Sequence, residues 1–126
     1  MKLKIPVAAL VASALLAGCS TSQIKLQNDL VYANESRTEF VLKDFVEVEA
    51  LHAKPLTLKA NTRWYKVGTI DRGVVYGTYD QVVIVNSFNV YEGYIVINEG
   101  NVVGYYLPTE KTFVETKPVT INFVHQ

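Results

Sequence analysis

From residue 40 to its end the chain is crowded with Val, Ile, Thr, Tyr and Phe. These branched or aromatic side chains cost a helix rotamer freedom and suit a pleated, half-buried surface. No other feature constrains the fold as strongly, because such a chain has sheet faces to bury. The clearest unit is Tyr94-Ile95-Val96-Ile97, then Asn98-Glu99-Gly100-Asn101, then Val102-Val103-Gly104-Tyr105-Tyr106-Leu107. Two β-rich runs around a short polar turn containing glycine predict a hairpin. Pro108 lacks the amide donor that a ladder requires, so the second strand should end beside Leu107 and a turn should follow.

A second hairpin is predicted from Arg63–Ile70 and residues 74–85, with Asp71-Arg72-Gly73 as the turn between them. Gly77 and the polar pair Asp80-Gln81 divide the later stretch. They leave Val82-Val83-Ile84-Val85 as a continuous apolar run of the kind that lies central in a sheet, covered on both faces. Leu56-Thr57-Leu58 after Pro55, and Val119-Thr120-Ile121-Asn122-Phe123 after Pro118, alternate as half-buried strands do. Residues 40–51 fit two periods, since Val46, Val48 and Ala50 alternate with Glu47 and Glu49 while Val41, Phe45, Val48 and His52 share a helical face; a strand is preferred. Six to eight short strands, with turn signals at intervals of roughly 8–12 residues, predict a mainly β protein, a small antiparallel β-sandwich or barrel.

The first eighteen residues have a different character. Lys2 and Lys4 give a positive start, and the uncharged apolar run from Ile5 to Leu16 ends in the small residues Ala17 and Gly18. A membrane-crossing helix needs about 20 apolar residues, so this run reads as an export signal. Leu16-Ala17-Gly18-Cys19 resembles the lipobox of bacterial lipoproteins. The resemblance implies a diacylglycerol on the thiol of Cys19, cleavage just before that residue, and a membrane anchor for whatever follows. Ser20, where an aspartate favours retention in the inner membrane of enteric-type cells, implies outer-membrane placement if the host is Gram-negative, and the expected orientation is toward the periplasm. The expected organisation is a signal peptide at 1–18, a lipidated N-terminus and flexible polar tether at 19–28, and a single β-rich domain at 29–126.

With Cys19 occupied by lipid, no thiol remains for a disulfide or a cysteine metal site. Ten basic and twelve acidic side chains remain after the leader, a formal charge of −2. Lys and Arg are scattered singly among acids, which argues against nucleic acid as a partner.

The inventory for catalysis is thin. Only His52 and His125 are histidines, the second beside a chain end that should fray. No HExxH, GxSxG, GxxxxGK[ST] or EF-hand spacing occurs, and no motif calls for a cofactor or metal. Glu47 and Glu49 would share a strand face about 7 Å apart, and with Asp71 and Asp80 they are the carboxylates that an envelope hydrolase would have to use. The tyrosine supply points elsewhere. Adjacent aromatics on a strand face opposite ways, so one of Trp64/Tyr65 and one of Tyr105/Tyr106 should face away from the core or into a second layer. These four are the candidate partner-binding residues. The sequence therefore favours a non-catalytic module that binds or assembles with another envelope protein. The alternative is an exclusion or inhibitor lipoprotein that blocks a receptor, a phage or a hydrolase.

Overall fold

The computed structural model describes residues 25–27, 30–33 and 37–125. Cys19, the leader and most of the expected tether lie outside them. Thirteen strands follow one another without a helix among the described residues: β1 (Lys25–Gln27), β2 (Val31–Tyr32), β3 (Thr38–Leu42), β4 (Val46–Val48), β5 (Leu56–Leu58), β6 (Arg63–Ile70), β7 (Gly73–Thr78), β8 (Ile84–Asn86), β9 (Val90–Glu92), β10 (Tyr94–Asn98), β11 (Asn101–Leu107), β12 (Thr112–Thr120) and β13 (Phe123–His125). The count exceeds the expected six to eight because most of the additional strands are two or three residues long. Segments that short hold no periodicity to read.

A nine-stranded antiparallel sheet runs in the order β1-β12-β11-β10-β7-β6-β3-β13, and β2 also pairs with β6. Its path starts at β1 and stops at β13 without closing into a barrel. Two ribbons, β4–β5 and β8–β9, stand outside it. Their Val46, Val48, Leu58 and Val85, with Val83 just before β8, share one core with Phe40, Leu42, Trp64, Ile95, Val102, Tyr105 and Leu107 of the large sheet, so the architecture is sandwich-like.

The β10–β11 hairpin forms as its sequence predicts, with Asn98 opposite Asn101. Its turn is two residues, Glu99 and Gly100, at φ of 53° and 80°. Positive φ at both central positions is what a type I′ turn requires and what matches the twist of the strands. Pro108 ends β11, and Lys111 N–H donates back to the Pro108 carbonyl at 3.3 Å. Residues 38–48 form strands rather than a helix, split by an exposed bend at Lys43-Asp44-Phe45.

Three expectations need correction. Val82–Val85 is not a central strand, for Val82 is 63% exposed while Val83 and Val85 are buried. The chain is drawn away from β7 by Asp80, which holds Arg63, and by Gln81, which accepts from Lys59 N–H at 2.8 Å and donates to the Thr57 carbonyl at 3.1 Å. Pro118 does not start a strand but sits inside β12, where Val102 pairs with Val119 and Gly104 with Glu115. The intervening residues bulge, which is where a sheet tolerates proline. Lys25–Gln27, within the expected tether, is hydrogen-bonded along β12; a polar composition does not stop a backbone from completing an open ladder edge.

Candidate functional site

Trp64 and Tyr65 on β6, and Tyr105 and Tyr106 on β11, do point to opposite faces, but both faces carry a core. Trp64 and Tyr105 belong to the cluster under the two ribbons. Tyr106 joins Val67, Ile70, Val75, Val96 and Phe113 on the other side, with Tyr65 packed against them. Trp64, Tyr105 and Tyr106 are 0, 1 and 2% exposed, so they are core residues rather than partner contacts. The second-layer arrangement holds, and of the four candidates only Tyr65 reaches a surface. Trp64 satisfies its indole by donating Nε1–H to Thr62 Oγ1 at 2.8 Å. The Tyr105 hydroxyl is buried without a hydrogen-bond partner, and burial pushes its pKa up.

Tyr65 is the inner member of a tyrosine surface. Its ring stacks on that of Tyr79, with centroids 4.8 Å apart and planes 15° from parallel. It lies across Gly77, where an added Cβ would stand 2.9 Å from the Tyr65 hydroxyl and 3.0 Å from a ring carbon of Tyr94. Glycine leaves the gap that the two rings fill. Burial, then hydrogen bonding to Tyr79, raises the pKa of Tyr65; burial, then the charge of a neighbouring Tyr32, raises that of Tyr94. Tyr65 and Tyr94 therefore stay neutral at physiological pH, able both to donate and to accept. Tyr79 and Tyr32 are 81 and 70% exposed. Tyr32 was not legible as part of this group, because β2 is two residues long and reaches β6 through a pairing that its sequence does not announce.

The carboxylates do not converge. Asp80 receives Arg63 Nε at 3.0 Å and Nη2 at 2.8 Å, together with the Arg63 backbone N–H at 2.7 Å. These bonds hold its pKa down to about 2. Glu49 is 3.7 Å from Lys117 Nζ, Glu47 faces solvent on β4, and Asp71 occupies the β6–β7 turn. Among the described residues no group of three or more His, Cys, Asp or Glu is placed to hold a metal. His125 is paired within β13 and packs edge-on against Phe123, centroids 5.0 Å apart, instead of fraying.

A cavity of about 350 Å³ opens between the loop after β4, the β8–β9 ribbon and β12. Leu51, Ala53, Val85, Tyr91, Leu107 and Val114 give it an apolar wall. Hydrogen bonds fix its frame: Lys54 N–H donates to the Asn86 carbonyl at 2.9 Å, Lys117 N–H to the Glu49 carbonyl at 2.9 Å, and the Ser87 hydroxyl to the His52 carbonyl at 2.6 Å. Sequence reasoning missed this cavity because its walls come from segments far apart in the chain. The described residues form an all-β, sandwich-like fold with two separate surface features, an aromatic surface and an apolar cavity. No protein-family model, curated protein or solved structure matches the chain.

Proposed function

We propose that this chain is a bacterial envelope lipoprotein, anchored through Cys19 to the outer membrane and facing the periplasm. Its β domain then acts as a non-catalytic module that binds or assembles with another envelope protein. The lipobox resemblance of Leu16-Ala17-Gly18-Cys19 supports the anchor. The observation that carries the binding role is the tyrosine surface, in which Tyr79, 81% exposed, lies stacked on Tyr65. Tyrosine buries large area at low entropic cost and is enriched where proteins meet. A lipid tether raises the effective concentration of membrane neighbours, so a modest contact through this surface is sufficient for function.

Crosslinking in intact membranes tests this reading. The wild-type protein should yield a covalent adduct with an envelope protein. The Tyr32→Ala/Tyr79→Ala variant should lose the adduct while its unfolding midpoint barely moves, because both side chains are exposed. Recovery of the protein alone at every crosslinker length overturns the binding role. An intact mass without diacylglycerol on Cys19 overturns the anchor.

A further inference from the structure

We infer that the cavity beside β12 receives an acyl chain carried by the protein's own Cys19. The inference rests on the lipidation proposed above and goes beyond it in saying where the lipid goes. At about 350 Å³ the cavity falls within the roughly 300–1,000 Å³ of small-molecule sites. Its walls are mainly aliphatic, and the charged residues that touch it, Glu115 and Lys117, are exposed. A flexible hydrocarbon suits such a space, since it asks for no polar partner in return.

One polar group does look for a partner. Thr116 lines the cavity, is 4% exposed, and its Oγ1 has no hydrogen-bond partner. Buried hydroxyls are normally satisfied. The carbonyl oxygen of an acyl ester is an acceptor of the kind that would complete this one.

Strand register names the occupant. β1 runs antiparallel to β12 with Lys25 opposite Val114, a residue of the cavity wall. Moving from Lys25 toward the N-terminus therefore means moving along β12 toward Glu115 and Thr116. That edge is already taken, because Ala50 bridges Thr116 and the Glu49 carbonyl accepts from Lys117 N–H. The N-terminal end of β1 therefore lies at the cavity wall. Cys19 stands six residues before Lys25, a reach of at most about 20 Å at 3.3–3.6 Å per residue. The rim offers an apolar approach: Leu51 is 70% exposed, and Phe88, 76% exposed, lies against His52 with ring centroids 6.1 Å apart. With one chain seated here, the domain shelters part of its own anchor from water.

The test uses the mature lipidated protein from cells fed a diazirine-bearing fatty acid, purified, freed of detergent and mixed with an unlabelled, heavy-isotope copy before irradiation. Peptide mass spectrometry should find the Cys19 lipid joined to peptides holding residues 51–53 or 114–118 of the same light chain. Ala53→Phe, which narrows the cavity, should lower that yield severalfold. Thr116→Val, nearly isosteric, should lower it without loss of stability, which guards against a variant that merely unfolds. Crosslinks to the heavy copy, to free phospholipid in the cavity or to no cavity peptide each overturn the assignment while leaving the anchor standing. An intact mass without lipid overturns both.

Discussion

The two faces of the large sheet are closed by different means. On one, the ribbons β4–β5 and β8–β9 bring side chains from outside the sheet onto Trp64, Ile95 and Tyr105. On the other, Leu30 aside, the cluster around Val75, Val96, Tyr106 and Phe113 draws on residues of the same sheet, and large rings lie flat over glycine. A Cβ at Gly104 would collide with the Phe113 ring, and Tyr65 covers Gly77 in the same way. A face covered by separate hairpins can leave an aliphatic cavity where they part. A face that covers itself with rings ends in an exposed aromatic edge, which is where the tyrosine surface lies.

The largest effect is expected on the ribbon-covered face. Trp64→Ala removes its largest side chain and leaves Thr62 without the indole donor, so urea unfolding should show a loss of about 3–5 kcal/mol. An unchanged midpoint would show that the ribbons do not depend on Trp64. On the self-covered face Gly104→Val forces Phe113 aside and should cost about 1–3 kcal/mol. Adding Phe113→Leu relieves only the clash with the ring, because the Val114 carbonyl oxygen stands 2.6 Å from the same Cβ, so a double-mutant cycle should recover part of the loss; additive losses would mean that the ring does not depend on the glycine.

Smaller effects follow. Tyr105→Phe deletes a buried hydroxyl that has no partner and should stabilise the protein by about 1 kcal/mol in thermal or chemical unfolding. Destabilisation would reveal a partner for that hydroxyl. The Arg63–Asp80 pair joins β6 to the loop that starts the β8–β9 ribbon, and its contribution has a defined pH window. The folded-state pKa of Asp80, about 2, lies below the unfolded value of about 3.9. The stabilisation is therefore complete above about pH 4 and fades as pH falls toward 2. Asp80→Asn should flatten the acid limb of a stability profile in that interval and leave its slope near neutrality unchanged; an acid limb identical to the wild type would remove Asp80 from the account.

Local chemistry carried much of the fold. Hairpins at Glu99-Gly100 and Asp71-Arg72 were legible because turn residues and flanking β-formers lie side by side in sequence, and Leu56–Leu58 because it alternates. Pro118 misled, since the sequence alone does not reveal a bulge that accommodates proline. The run 82–85 misled because apolarity says that a segment is buried without saying where. Of the four candidate residues, only Tyr65 escapes full burial. Alternation correctly separated Trp64 from Tyr65 and Tyr105 from Tyr106, but whether the outward member meets water depends on what else covers that face.

Residue type and short-range order determined that this protein is antiparallel β, where two of its tight turns fall and which neighbours diverge to opposite faces, because those properties depend on φ/ψ preference and a period of two. Tertiary structure alone decided that both faces are covered, that Tyr32 pairs with Gly68 on β6, and that the edge of β12 is shared between Lys25–Gln27 and Ala50. Each of these depends on contacts between segments tens of residues apart. Which segments meet is set by competition for sheet edges and apolar area across the whole chain.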